Sequence, residues 1–516
     1  MCAPLLIALP DGLSVSGVTT WAVRLVNALA GAGRACGLVV HPEPAEGVRL
    51  DVALNGDVEV FDAPVIGDFA GVVERYRTAA QSLAGRGGPV VLSPNLRGDC
   101  YGVGASLVEC GVRLVGWQHS DIEYDRRVLA YFEPVIERFV GVSRLISDRL
   151  GAAIDSRGGD IVHIPYGVEA GRDVPGRAAL SGRPIRLIYT GRMEHRQKRI
   201  LSLVHLSDEL RARGIDHELI LLGDGPAAGE IDRLCASRAS IRRVDPVGPG
   251  RVGAMLEDAD FFVLGSRYEG LSVSMLEAMA RGCVPIVARV ASGATEAIEH
   301  ACNGMIAEVD SDASEPEVGA ALASVVAACL DADVGAMSRR AWLTVAERYS
   351  IELHAARVGE LIDEVASAPA RRWPGGRVLA FDSEGGSVGA DAERLLMKLL
   401  DSLAGRRIAI HGVGAHTRQL WPVFADSAAR IVALVDDDRA VHGSMRFDLP
   451  VVPPDSVAGT GATDVVISSW MHENEIWSRR EVYEEAGLRV HRIYCSTRSN
   501  GSMYVRSHAS FNDEGV

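Results

Sequence analysis

Lysine is nearly missing from this sequence. Lys198 and Lys398 are the only two in 516 residues, so almost every positive charge is an arginine. A GC-rich coding sequence accounts for the bias, and it draws attention to the places where lysine does occur. Cysteine pairs are missing too. The nine cysteines are scattered singly with no C-x-x-C spacing, which suits reduced thiols in a cytoplasmic protein. No apolar run approaches the roughly 18–20 residues of a membrane span, so any membrane contact would be peripheral. The apolar run Ala3–Pro10 has no basic residue before it and reads as a buried strand, not a signal peptide. A basic excess is also lacking: the formal net charge of −15 argues against a nucleic-acid partner.

What is present is the material of a folded globular chain. Hydrophobic residues make up 47% and charged ones 23%, enough apolar matter for several cores. At about 150 residues per domain, the length predicts roughly three. Short apolar runs alternate with helix-period segments throughout, the pattern of an α/β fold with parallel sheets and crossover helices. The predicted strands include Leu5–Leu9, Ile185–Tyr189, His217–Leu222 and Phe261–Leu264, and one long helix is predicted over Met337–Ala366. The units are read as 1–175, 176–366 and 377–496, with a Pro/Gly-rich linker at 367–376 and a flexible tail at 497–516.

The segment Ser266-Arg-Tyr-Glu-Gly-Leu-Ser-Val-Ser-Met-Leu-Glu277 follows a predicted buried strand and opens a helix. Parallel sheets bind ligands at that end of their strands. Unpaired amides near Gly270, Leu271, Ser272 and Val273 suit a phosphate or sugar oxygen. Carboxylates at Glu269 and Glu277 can each accept two hydrogen bonds from a diol. By themselves, two glutamates eight apart are more often a cap and a surface residue.

The wider context changes that weighting. The stretch resembles the Glu-x7-Glu motif of retaining glycosyltransferases of the family 4 type (glycosyl transferases group 1), including the lead-in Asp258–Ser266 and the continuation Gly282-Cys-Val-Pro-Ile-Val-Ala288. Gly191-Arg192…Lys198 is similar to the same family's donor motif, and Gly223-Asp-Gly225-Pro226 to its Gly-x-Gly-Pro turn. Gly293-Ala-Thr-Glu296 resembles a downstream Gly-x-x-Glu element near the donor, and Ser16-Gly17-Val resembles the glycine loop facing the donor phosphates. His119, in Trp117-Gln-His119-Ser-Asp121, matches the family's cleft histidine by context, although a lone histidine is more often structural. Tyr166 stands where the family more often has asparagine.

The resemblance covers about residues 1–366. It implies a GT-B fold, two Rossmann-like domains facing across a cleft, with the acceptor side in the first and the donor side in the second. The co-substrate would be a UDP- or GDP-sugar and the acceptor a sugar or glycoconjugate hydroxyl, with retention at the anomeric carbon and no required cofactor. Glu269, His119, Arg192 and Lys198 would carry the chemistry. Arg192 and Lys198 would neutralise charge growing on the leaving diphosphate. Glu277 would hold the ribose.

Two rivals are a nucleotide-sugar epimerase on the same fold and a non-catalytic sugar-nucleotide scaffold. The first lacks a dedicated base pair, and the second has no need of the full charged set. The loose D-x-D triplets at Asp258–Asp260, Asp310–Asp312 and Asp436–Asp438 are expected in an acidic chain and do not imply a metal. In the third unit, Gly412-Val-Gly414 follows a strand and Asp436 lies about 20 residues on, as in a dinucleotide site. Thr417 replaces the third glycine, which argues against NAD. This unit resembles the small Rossmann-like domains of bacterial sugar acyltransferases and sugar methyltransferases, a likeness that leaves its role open between sugar-nucleotide binding, acceptor holding and assembly.

Overall fold

Strand Leu5–Leu9 (β1) is apolar and buried at every position, as a strand covered on both faces must be. A computed structural model of the chain describes residues 2–14, 16–42, 53–64, 69–95, 97–171, 176, 180, 182–195, 197–290, 293–310, 313–374, 390–469 and 473–493. The predicted tail lies outside the described residues. After β1 come Gly17–Gly31 (α1), Cys36–Val40 (β2), Val58–Asp62 (β3), Phe69–Ala84 (α2), Val91–Ser93 (β4) and Gly98–Leu107 (α3). Arg113–Gln118 (β5), Glu123–Tyr131 (α4), Ile136–Gly141 (β6), Arg144–Ala153 (α5) and Ile161–His163 (β7) complete the first sheet. Its order is β3-β2-β1-β4-β5-β6-β7, all parallel.

The second sheet repeats the plan. Ile185–Thr190 (β8), Leu201–Ala212 (α6), His217–Leu222 (β9), Ala228–Cys235 (α7), Ile241–Val244 (β10) and Pro249–Asp258 (α8) lead to Phe261–Leu264 (β11). Val273–Ala280 (α9), Val284–Ala288 (β12), Ala294–Ala297 (α10) and Met305–Ala307 (β13) follow. The parallel order is β10-β9-β8-β11-β12-β13. In each sheet the winding direction reverses beside its first strand, between β1 and β4 and between β8 and β11. Loops diverge there and leave a crevice at the carboxyl ends. Both sheets belong to one compact unit that runs to Trp373.

Glu315–Ala328 (α11), Val334–Arg348 (α12) and Ile351–Ser367 (α13) close that unit. The single helix predicted over Met337–Ala366 is in fact two. The chain breaks at Tyr349–Ser350, where the Val168 amide donates to the Tyr349 carbonyl at 2.9 Å and the Ile351 amide to that of Val168 at 3.0 Å. Ser350 then caps α13 by accepting from the Leu353 amide. That helix returns to the first sheet and packs on α1 and β5. The start of the predicted linker is also anchored: Arg371 pairs with buried Glu137 at 3.1 Å, and the Trp373 ring lies 5.6 Å from that of Phe132.

The second unit, taken by itself, contains Ala390–Ser402 (α14), Arg407–His411 (β14), Ala415–Ala425 (α15) and Arg430–Val435 (β15). Met445–Arg446 (β16), Leu449–Val452 (β17), Asp464–Ile467 (β18), Glu473–Ser478 (α16), Glu481–Glu484 (α17) and Arg489–Arg492 (β19) follow. Its sheet, β16-β17-β15-β14-β18-β19, is parallel except for the β16–β17 hairpin. Among the described residues of the chain, no single helix is long and apolar enough to cross a membrane.

Candidate functional site

The loops after β8, β9 and β11 converge. Gly223 and Gly225, on the loop after β9, have φ of +147° and +151°. A Cβ on Gly223 would lie 2.0 Å from the Gly191 carbonyl oxygen, and one on Gly225 would lie 2.4 Å from that of Met193. These glycines, followed by the exposed Pro226, let two backbone loops lie against each other, a need separate from any ligand. Their contact fixes the segment carrying Arg192, whose carbonyl accepts from the Tyr189 hydroxyl at 2.7 Å. The Arg192 side chain is exposed and makes no ion pair among the described residues.

Lys198 and Glu269, 71 positions apart, meet. Lys198 Nζ lies 2.5 Å from Glu269 Oε1, which also accepts from Ser266 Oγ at 2.7 Å. Glu269 is only 6% exposed, so this pairing keeps its charge tolerable. Glu194 accepts from the Gln197 and Lys198 amides at 2.9 and 2.7 Å and shapes the turn that aims the lysine. Behind it, the fully buried Arg199 donates to the carbonyls of Gly265, Ser266 and Ala313 at 2.9–3.1 Å. Burial pushes its guanidinium pKa down to about 10. Arg199 thereby ties the lysine turn to the strand end that presents Glu269. Beyond it, Leu271 is buried and Ser272 caps α9 by accepting from the Met275 amide at 3.3 Å.

The two domains of this unit touch at the site. A Cβ on Gly270 would sit 2.1 Å from the His119 carbonyl oxygen, and one on Gly293 would sit 2.6 Å from Ser143 Cβ. The Gly293 amide donates to the Gly270 carbonyl at 2.7 Å. Glu296 accepts from the Leu145 amide at the start of α5 at 3.2 Å, and His163 lies 3.8 Å from its other oxygen. Glu296 therefore spans the domains in this structure. Glu277 does the same, pairing with Arg24 of α1 at 2.5 Å. Gly17, at the exposed start of α1, has open space around it, and Ser16 caps that helix.

The His119 ring points inward. It is stacked between Trp117 at 5.8 Å and Tyr166 at 6.0 Å, with centroid distances and near-parallel planes in both cases. Asn95 Oδ1 faces His119 Nε2 at 3.3 Å, and Tyr166 Oη faces Nδ1 at 2.7 Å. The Asn95 amide nitrogen donates to the Ala8 carbonyl, leaving its oxygen as acceptor. The proton therefore sits on Nε2, and the tyrosine hydroxyl donates to Nδ1. Burial, and secondarily His354, push the pKa of His119 down to about 3. His354 is likewise held neutral: Trp21 Nε1 donates to its Nε2 at 2.8 Å and its Nδ1 donates to the Pro165 carbonyl. What His119 presents to Gly270 is its backbone carbonyl, so it supports the loop through its main chain.

Of the acidic triplets, Asp260 is buried and accepts from both terminal nitrogens of Arg183 at 2.7 and 2.6 Å, while Asp258 pairs with Arg186. Among the described residues, no group of three metal-ligating side chains converges. In the second unit Gly412 has φ +112° and Asp436 accepts from the Val413 amide at 2.9 Å. Thr417 donates to Ser468 Oγ at 2.8 Å, so the residue in the third glycine's place is used inside the turn. Arg24, Asn95, Glu194, Gln197 and Arg199 were not singled out in the sequence. Glu194, Gln197 and Arg199 lie within or next to the Gly191–Lys198 motif, whereas Arg24 and Asn95 stand beside no visible signal.

Comparison with known proteins fits this geometry. Residues 184–325 match the model of the glycosyl transferases group 1 family. The chain is 32% identical over 133 residues to alpha-D-kanosaminyltransferase of Streptomyces kanamyceticus, covering 25% of this chain and 34% of that one. It is 32% identical over 103 residues to the Vi polysaccharide biosynthesis protein VipC/TviE of Salmonella typhi, covering 19% and 18%. The chain thus matches about a third or less of the length of these curated relatives. In three dimensions it is similar to Anabaena HepE, solved in complex with UDP and glucose, with a TM-score of 0.53 and 15% identity over 70% of this chain and 100% of that one. The described sheets and these likenesses show a GT-B fold, within which residues 184–325 are similar to the glycosyl transferases group 1 family.

Proposed function

We propose that this protein is a retaining glycosyltransferase that moves a sugar from a UDP- or GDP-sugar to a hydroxyl acceptor in bacterial glycan or glycoconjugate synthesis. The observation that carries the reading is the Lys198–Glu269 pair near the exposed Arg192, which makes no ion pair among the described residues, at the reversal point of the second sheet. Arg192 and Lys198 would neutralise the diphosphate, aided by the unpaired amides that open α9. Glu269 would accept from the donor sugar's hydroxyls and Glu277 from the ribose diol. In the transfer, the acceptor oxygen bonds to the anomeric carbon as the bond to the diphosphate oxygen breaks. The acceptor proton passes to that departing oxygen on the same face, which gives retention without a covalent enzyme intermediate. Two fixed cations would serve where a metal otherwise could, so transfer is expected to survive chelator. His119 acts here as a positioning residue through its carbonyl. The singly placed cysteines suit a cytoplasmic setting.

The test is a melting-temperature panel with UDP, GDP and their sugars, followed by transfer assays with the anomeric configuration read by NMR. A nucleotide at about 100 times its dissociation constant stabilises by about 2.7 kcal/mol. Lys198→Ala and Glu269→Gln should each lower transfer by about 100-fold or more while leaving the protein folded. If no nucleotide shifts melting, or both variants transfer normally, the reading fails.

A further inference from the structure

Between Arg192 and Lys198, the loop after β8 is held down by a side chain that the transfer itself does not use. His195 is buried, and its ring stands between carboxylates from two different helices. Its Nε2 lies 3.0 Å from Glu230 Oε2, in the first turn of α7, and its Nδ1 lies 3.9 Å from Glu315 Oε1, at the first position of α11. Glu315 is buried and Glu230 is partly exposed. The loop is fastened on either side of this ring by other means. The Met193 amide donates to the Asp224 carbonyl at 2.8 Å, and its carbonyl accepts from the Ala227 amide at 3.0 Å. Arg199 reaches the Ala313 carbonyl just before α11. His195 is the fastening that carries a titratable proton.

The arrangement selects the charged ring. A neutral imidazole has one N–H, so it would turn a lone pair toward one of the two carboxylates, whereas the imidazolium presents an N–H to each. Both glutamates stand in the first turn of a helix, where the helix dipole favours their anionic form, so the proton belongs on the ring. Neighbouring charges leave this assignment in place. Glu194 is bonded to the Gln197 and Lys198 amides, Lys198 to Glu269, and Glu317 to Ser314. On α7, Asp232 pairs with Arg243 and Arg233 donates to the Gly229 carbonyl. Arg199 faces Glu315 from the far side, and Arg267 faces Arg199. Arg196 lies outside the described residues. Glu230 makes no other ion pair among the described residues. Losing the ring proton therefore removes the cation between two carboxylates, one of them buried.

We propose that His195 is a pH-sensitive positioning residue for the diphosphate site. Protonated, it holds the loop bearing Arg192 and Lys198 against α7 and α11; as pH rises and the proton leaves, the loop loosens and donor binding weakens. This rests on the reading of Arg192 and Lys198 as the cations that hold the diphosphate. His195 touches no substrate and acts only through the loop, so its effect is that of a coupled residue, about 2- to 30-fold on the dissociation constant.

The experiment measures binding of UDP-glucose and GDP-mannose to the full-length chain by calorimetry from about pH 6 to about pH 8.5, across the ordinary imidazole range. The diphosphate of a nucleotide sugar has no proton to lose there, so the profile reports the protein. The wild-type dissociation constant for the donor that binds should rise by about 2- to 30-fold across the range. His195→Gln should bind at the weaker, alkaline level throughout. Asp125 titrates in the same window but is common to both chains, so the difference between them belongs to His195. Glu230→Gln, which removes one carboxylate and leaves the histidine, should move the loss of affinity to lower pH. NMR of the histidine-labelled chain, with the His195 signal assigned through His195→Gln, reads the proton without any ligand. A flat wild-type profile, a His195→Gln profile parallel to wild type, or a His195 ring neutral at about pH 6 overturns the proposal. If a donor binds and is insensitive to pH, only this proposal fails. If neither donor binds at any pH while the His195 ring titrates, the reading of Arg192 and Lys198 fails and takes this proposal with it.

Discussion

Replacing Gly270 by alanine places a methyl carbon 2.1 Å from the His119 carbonyl oxygen and 3.2 Å from Val142 Cγ2. An ordinary contact needs at least 3.4 Å, so the two backbones must separate by about 1.3 Å, the difference between 3.4 and 2.1. Neither backbone is free to move. The Gly270 carbonyl accepts from Gly293 at 2.7 Å, and the carbonyl of His119 belongs to a residue whose ring is held between Trp117 and Tyr166. Overpacking of this kind costs about 1–3 kcal/mol, because relief requires shifting main chain and not a flexible side-chain tip. At about 2–4 °C per kcal/mol for large domains, the melting temperature should fall by at least about 2 °C. Gly17→Ala is the internal control. It opens α1 at an exposed position, where an added methyl meets nothing within 4 Å and alanine is the better helix former. The pair is measured by urea and thermal unfolding under one buffer. If Gly270→Ala melts within about 1 °C of wild type, the close approach of the two domains at this loop is not real.

Arg199→Met should destabilise by about 3 kcal/mol or more, since three buried carbonyls lose their donor. A urea midpoint equal to wild type would refute this. Lys198→Ala should cost stability as well as transfer, because it strands a carboxylate that is 6% exposed, whereas Glu269→Gln should be milder in unfolding. Equal stability losses would show that the pair is not desolvated. Asp125 gives a pH test. Burial pushes its carboxyl from 3.8 up to about 8, so between those values the folded chain keeps a proton that the unfolded chain sheds. Wild type therefore loses up to about 1.4 kcal/mol per pH unit as pH rises through that window, and Asp125→Asn does not. The stability gap in favour of the variant should widen from pH 5 to pH 8. A gap independent of pH would contradict the buried, protonated carboxyl.

Much of the strand framework was legible in the sequence, because strands buried on both faces must be continuously apolar. Leu5–Leu9 and Phe261–Leu264 coincide with the prediction for that reason. Strand β3 was not read. Its partly exposed pattern at the sheet edge carries no such run. The break between α12 and α13 was invisible too, since it depends on Val168 arriving from nearly two hundred residues away to take the backbone hydrogen bonds.

For the site, sequence alone determined which residue types stand where. It marked Glu269 and Glu277 on one strand-to-helix turn, Arg192 and Lys198 on another, and the glycines where loops must come close. These are local properties, set by neighbours along the chain. Only the tertiary structure decided pairing. It joined Lys198 to Glu269, turned the His119 ring inward onto Asn95 and Tyr166, and set Arg24 against Glu277 and Leu145 against Glu296. Those contacts link residues 24 to 253 positions apart, where sequence spacing carries no geometry; the strand order within each sheet and the contact between the two domains supply it.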